Sequence, residues 1–207
     1  SNIGLYSIYA AITHENIEVI SFEPSTSNLR ILSRNIFINK LHEKISIFQI
    51  PLGKNKNQFL KLNERKFNEG ESHNSIDDNI DFEGKKLNPT NSYKLFTTNI
   101  DQIIDDKILD IPNYIKIDVD GIEHLILKGG SKMLKNPKIL EIQIEINENF
   151  SEQHNSIIKI MKDCMFEFKE KKRNDLNQYY SQKEFSKIYN YYFTRWNHNM
   201  IKNIKTA

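Results

Sequence analysis

The chain has 207 residues, enough for one domain with a substantial core, and Lys plus Arg (29) against Asp plus Glu (27) leave a net charge of +2. That balance lacks the concentrated basic excess of a dedicated nucleic-acid binder, and no apolar run approaches the roughly 18 residues of a membrane span. Aromatics at 11% argue against a disordered chain, while the single cysteine, Cys164, excludes an internal disulfide framework or a multi-cysteine zinc site and makes a reducing cytoplasm the expected compartment.

The chain opens SNIGLYSIYAA, without initiator Met or signal-peptide pattern, so it is expected to start inside a domain. After Gly4, residues Leu5, Ile8, Ala11 and Ile12 recur like the apolar stripe of a helix. IEVISFE (17–23) is a β-branched run ending in an acid before Pro24, and predicts a strand. Ser25 or Ser27 can cap the next helix, with Leu29, Leu32, Ile36 and Leu41 on one face. KISIFQI (44–50) predicts another strand, closed by Pro51 and Gly53. This order of elements is that of an α/β domain with a parallel sheet.

Residues 54–92 break the rhythm. Rich in Asn, Lys, Glu and Ser, they are expected to be a solvated insertion or mobile loop in which only QFLKL (58–62) suggests a strand. YKLFTT (93–98) looks extended, and Asp101 is placed to cap a short helix carrying Ile103 and Ile104. In 113–130, YIKIDV predicts a buried strand, DG a turn, and IEHLILK a short helix stopped by Gly129 and Gly130. Ile139, Leu140, Ile142, Ile144 and Ile146 mark a further strand, and Ser151 can cap a helix with Ile157, Ile158 and Met161 inside. MFEFK (165–169) and NYYFTRW (190–196) predict strands, with a Ser181–Glu184 capping box between them. The basic run KEKKR (169–173) is expected in a surface loop, and the polar tail 196–207 is expected to fray, leaving 1–195 as the domain.

In open parallel sheets, ligands bind beyond the carboxyl ends of the strands. There the sequence places Glu23 with Pro24, Gln49 to Leu52, Asp118 to Glu123, and Glu145 to Asn147. Glu23 lies about twenty residues past the Gly4 turn, a spacing that suits a carboxylate accepting bonds from vicinal ribose hydroxyls. Asn2 and Gly4 let backbone approach a ligand at a helix N-terminus. Lys116 and Asp118 share one face of their strand and can pair. Asp118, Asp120 and Glu123 crowd around Gly121, which should raise the pKa of at least one, as a general base requires. The six histidines show no metal-ligand spacing; His124 beside the acidic turn is a candidate substrate contact, with a solvated side chain the alternative. No metal site is expected.

Three ordered motifs resemble the FkbM-type S-adenosylmethionine-dependent methyltransferases. SNIGLYSIYAA is similar to the latter part of their first cofactor motif, FEPSTSNLRILSRNI to their second element, and IKIDVDGIEHLILKGG to their most specific signature, with Asp120 where the family usually has Glu. TTNIDQII and KILEIQIEIN match the segments flanking that signature. The resemblance covers residues 1 to about 195. It implies a Rossmann-like class I fold: a mostly parallel central sheet with helices on both faces, an antiparallel final strand, and a first central strand lying upstream of this chain. It further implies methyl transfer from S-adenosylmethionine to a hydroxyl on a sugar, glycan or small metabolite.

On that resemblance, Asn2 and Gly4 line the methionine part of the cofactor, Glu23 with Pro24 holds the ribose, and Gln49, Pro51 and Leu52 flank adenine. Asp118 sits near the transferred methyl, and the base is sought among Asp120, Asp118 and Glu123, in that order. Lys116, His124 and Glu145 are left to face the acceptor. A non-catalytic nucleotide- or partner-binding module is the alternative, and a dehydrogenase is weaker because the complete G-x-G-x-x-G pattern is missing.

Overall fold

The structure, a computed structural model, describes residues 1–72, 74–76, 88–173 and 187–196. The Ser181–Glu184 capping box, His73, His198 and the tail after Trp196 lie outside the described residues.

Helix α1 (Leu5–Thr13) starts at Gly4, whose φ of 93° is left-handed. A Cβ there would come within 2.5 Å of Leu32 Cδ1, so both backbone conformation and packing require glycine. The side of α1 that packs inward matches the expected stripe only in part, through Ala11 and the partly buried Ile8. Ser7 and Ala11 are buried, whereas Leu5 and Ile12 are exposed. Two small residues four apart let the helix lie close on strand β1 (Val19–Phe22), where Ser7 Oγ meets Ser21 Oγ at 2.7 Å.

Helix α2 (Thr26–Ile38) is capped by Ser25, whose side chain accepts the Asn28 N–H, and it buries Leu32 and Ile36. Strand β2 (Ile45–Phe48) pairs in parallel with β1. Ala11, Leu32, Ile36, Leu41 and Ile45 form the apolar cluster of this half.

Within 54–92 the described residues are more regular than the single strand expected. Strands β3 (Gln58–Glu64), β4 (Ser75–Ile76) and β5 (Asn91–Thr97) form an antiparallel sheet in the order β4-β3-β5. Polar side chains partly hid this, because Asn63, Glu64 and Ser75 are buried and hydrogen-bonding groups occupy positions that apolar residues usually mark. Helix α3 (Ile100–Asp105) is capped by Asn99, which accepts the Gln102 N–H at 2.9 Å, and not by Asp101. Asp101 instead accepts the backbone N–H groups of Lys132 and Met133 at the 3₁₀ turn Met133–Lys135.

The second half comprises β6 (Tyr114–Ile117), α4 (Glu123–Gly129), β7 (Glu141–Asn147), α5 (Ser151–Asp163), β8 (Phe166–Lys172) and β9 (Ile188–Arg195). Its sheet runs β6-β7-β9-β8; β6 and β7 are parallel, and β9 is antiparallel to both β7 and β8. Ile142, Ile144 and Ile146 alternate along β7 onto Leu127, Ile157 and Met161 of the core cluster. Ser151 is the first residue of α5 and not its cap, and Ile158 is partly exposed beside the buried Ile157 and Met161. The basic run 169–173 lies largely in β8 instead of a loop, with Lys169 and Lys171 paired to Glu141 and Glu148.

The architecture is mixed α/β, but the mostly parallel central sheet requires correction. Among the described residues the parallel strand pairs are β1–β2 and β6–β7, and the strands divide into three sheets. Among the described residues β1 and β6 each have a strand partner on one edge only, and they lie in different sheets. β6 is also less buried than expected, with Tyr114 exposed and Lys116 intermediate. No helix among the described residues is long and apolar enough to cross a membrane.

Candidate active site

Polar groups collect past the carboxyl ends of the parallel strands. At the end of β1, Glu23 is 5% exposed. Its Oε2 accepts the Asn2 N–H at 2.5 Å and the Ser1 ammonium at 3.1 Å, and its Oε1 accepts the Ser25 N–H at 3.0 Å. A carboxylate has about four acceptor sites, so the Asn2 and Ser25 N–H groups, one on each oxygen, leave Oε1 with an acceptor site for a further donor. The turn that delivers Asn2 depends on two left-handed residues, Asn2 (φ 52°) and Gly4, and is closed by Gly4 N–H donating to the Ser1 carbonyl at 3.1 Å. The Asn2 side chain is turned onto the protein itself, accepting from Ile3 N–H at 2.7 Å and donating to the Gly70 carbonyl at 3.3 Å.

Past β2, Gln49 is exposed and Pro51 buried, while Leu52 forms a parallel bridge with Thr98. Gly53 presses its carbonyl against Gly129 at the end of α4, where an added Cβ would come within 2.1 Å of that oxygen. This one contact between two glycines seats the 49–53 turn against α4.

The β6–β7 edge holds the densest charge. Lys116 pairs with Asp118, and its ammonium stands 4.0 Å from the centre of the Tyr6 ring. The register aligns Lys116 with Gln143 and Ile117 with Ile144, so the next residues, Asp118 and Glu145, lie level on the same polar face. Asn190 is the partner of Glu145 on β9. Burial, and then Asp118, Asp120 and Glu123, push the Glu145 carboxyl up to about 9. Tyr6 is raised by burial first and by Asp118 and Glu145 after it, which places its phenol in the same field.

Between β6 and α4 the chain turns through Asp120 (φ 59°) and Gly121 (φ 115°). Glu123 is 1% exposed and faces back into this turn. Its Oε1 accepts the Val119 N–H at 3.0 Å, and its Oε2 accepts the Gly121 N–H at 3.1 Å and Gln153 Nε2 at 2.5 Å. Gln153 in turn accepts the Asn147 N–H at 3.0 Å, so one buried chain ties the β6 turn to the end of β7. Glu123 is pushed up to about 7, mainly by burial, with repulsion from Asp120 the last of its causes. One carboxyl of the Asp118–Asp120–Glu123 group is therefore raised as expected, through desolvation more than through like charge.

His124 is buried, not solvated, with its ring edge-on to Phe150 at 6.0 Å between centres. Burial, and then Lys128, hold its imidazole below the usual range. It stands with α4 and the start of α5, whereas Lys116, Asp118, Asp120, Glu123 and Glu145 share one electrostatic neighbourhood. Glu23, Asn2 and Gly4 form a second group, which α1 joins to the first through Tyr6. Tyr6, Gln153 and Glu64 escaped the sequence reading. Tyr6 sits one position off the apolar stripe, and Glu64 lay in a segment read as solvated. Among the described residues no group of three or more His, Cys, Asp or Glu is placed to hold a metal ion.

No curated protein matches this chain. It is similar in fold to a methyltransferase FkbM from Methylobacillus flagellatus KT, with 16% identity and a TM-score of 0.51 over 85% of this chain and 36% of that one. It is likewise similar to a putative rRNA-methylase from Clostridium thermocellum, with 9% identity and a TM-score of 0.50 over 95% of this chain and 83% of that one. The chain thus spans about a third of the length of the first of these. The family model described as the methyltransferase FkbM domain matches residues 2–168, and the chain belongs to that family.

Proposed function

We propose that the chain forms the catalytic core of an S-adenosylmethionine-dependent O-methyltransferase acting on a hydroxyl of a sugar, glycan or small metabolite. The observation that carries it is the proximity of Asp118, just past the end of β6, to Glu145 near the carboxyl end of the parallel strand β7, beside the Asp120 turn, in a chain with an FkbM domain. The donor set fits the cofactor: a buried carboxylate at the end of β1 with an acceptor site to spare, and a left-handed turn opening α1.

When bound, the cofactor supplies a methyl group on an electrophilic sulfonium. The protein's part is to hold an acceptor oxygen in line and take up its proton. Glu23 would hold the ribose, and the Gln49 to Leu52 turn would border the adenine. Asn2 and Gly4 shape the backbone at the methionine end. Asp120, fixed in its left-handed turn within the field of Glu123 and Glu145, takes the proton. Asp118, oriented by Lys116, would face the methyl end of the cofactor, and Glu123 keeps the turn in shape from behind. Glu145, protonated at neutral pH, donates a hydrogen bond to the acceptor.

Calorimetric titration with S-adenosylmethionine, S-adenosylhomocysteine and NAD tests the cofactor. Binding of the first two and not the third is expected, and binding of NAD alone would overturn the proposal. A screen of hydroxylated metabolites for methyl acceptance identifies the acceptor.

A further inference from the structure

We propose that Glu64 is a positioning residue that aims Glu23 through Ser25; this rests on the reading above, in which Glu23 holds the cofactor ribose. Glu64 ends β3, far from Glu23 in sequence, and is 1% exposed. A carboxylate removed from water in this way is tolerable only where donors converge on it. Three do: Ser25 Oγ at 2.8 Å and Tyr93 OH at 3.2 Å on Oε1, and Asn91 Nδ2 at 2.7 Å on Oε2.

Ser25 is the junction. Its hydroxyl has a single proton, and donating it to Glu64 fixes the rotamer in which the same oxygen accepts the Asn28 N–H as the cap of α2. Its backbone N–H donates to Glu23 Oε1. With that one backbone donor, Oε1 keeps an acceptor site for a ribose hydroxyl. Tyr93 adds a second strap, accepting the Thr26 N–H at 3.0 Å while it donates to Glu64. Glu64 thus grips both Ser25 and Thr26, the residues that follow the Glu23–Pro24 corner.

The chemistry requires an acid there. A carboxylate only accepts, whereas glutamine would set its NH₂ against one of the donors with almost no change in volume. Glu64→Gln therefore perturbs the link without opening a cavity.

The test compares the dissociation constants of S-adenosylhomocysteine and its 2′,3′-dideoxyribose analogue, by calorimetry, on the wild-type chain, Glu23→Gln, Glu64→Gln and the double variant. Wild type should favour the intact ribose by about tenfold or more, the worth of a hydrogen bond to a charged group. Each single variant should bring that ratio towards one, and the double variant should lose no more than Glu23→Gln alone. A merely structural role would lower both affinities and leave their ratio intact, and that result overturns the proposal. If Glu64→Gln does not fold, Ser25→Ala severs the same link with Glu64 still held by Tyr93 and Asn91, and the same ratio decides. A Glu23→Gln ratio equal to wild type overturns the ribose role of Glu23 and this inference with it. No binding of S-adenosylhomocysteine by wild type overturns the function itself.

Discussion

Glu123 offers a test that needs no substrate. Its carboxyl is pushed up to about 7 in the folded chain from a usual 4.5, chiefly by burial. A folded-state pKa above the unfolded one means that the native protein binds the extra proton. The stability it brings is fully present below pH 4.5 and is lost as the pH rises through about 7. The difference corresponds to about 3 kcal/mol, a large share of a typical domain stability of about 5–15 kcal/mol. Glu123→Gln removes the titration. At the Oε1 position its amide oxygen keeps the Val119 N–H and the longer Gly121 N–H bond at 3.3 Å, but its NH₂ meets Gln153 Nε2 donor to donor, because Gln153 already presents its oxygen to Asn147. That clash costs about 1–3 kcal/mol at every pH. In urea denaturation between about pH 5 and pH 8, the variant should therefore start less stable and gain on wild type by about 3 kcal/mol. Glu145 is raised in the same direction and in part by Glu123 itself, so the comparison is made in a Glu145→Gln background, which removes its titration from both proteins. A difference that stays flat across this range would show that Glu123 is ionised in the fold throughout, and would remove its assignment as a buried, proton-holding brace.

Asp120→Asn should lower turnover by roughly 10²–10⁴-fold with S-adenosylhomocysteine affinity unchanged, and Asp118→Asn should lower it less; near-wild-type rates for both in a methyl-transfer assay would confine the two aspartates to structural roles. Gly129→Ala should destabilise the chain by about 1–3 kcal/mol, because the added Cβ would meet the Gly53 carbonyl at 2.1 Å and must displace backbone. An unchanged melting temperature would show that the 51–53 turn yields without cost.

Much of the fold was legible because apolar periodicity is a local signal. β1, β2, β6, β7 and β9 fall where β-branched alternation places them, and Gly129 and Gly130 end α4 as expected. Misreadings cluster where small or polar side chains form the interior. α1 packs on Ser7 beside Ala11, and β3 and β4 bury Asn63, Glu64 and Ser75; of these the hydrophobic pattern marks Ala11 alone. Capping was half legible for a similar reason. Asn99 and Asp101 are both good caps, and the choice of Asn99 becomes plain only when Asp101 is seen serving Lys132 and Met133, thirty residues away. At the site, the acidic residues could be listed from the sequence, but their division into braces and exposed groups could not. It depends on partners such as Gln153, Tyr6 and Ser25, supplied by distant elements.

That division shapes the proposed chemistry. Four carboxyl groups lie around the β6–β7 edge, and four full negative charges there would repel one another while drawing the cationic cofactor unselectively. The fold avoids this by environment. Glu145, at about 9, is protonated at neutral pH, and Glu123, at about 7, is close to half so. Lys116 pairs with Asp118 and is held in place by the Tyr6 ring. Neighbouring carboxyl groups that differ in protonation provide an acid and a base within one site, as proton removal from an acceptor hydroxyl requires. The two groups on which the fold favours a proton are glutamates of β7 and α4, whereas the shorter aspartates stand at the strand end and in the turn. Side-chain length and strand register together separate the roles, and Tyr6 on α1 ties the acidic edge to the turn that holds Glu23.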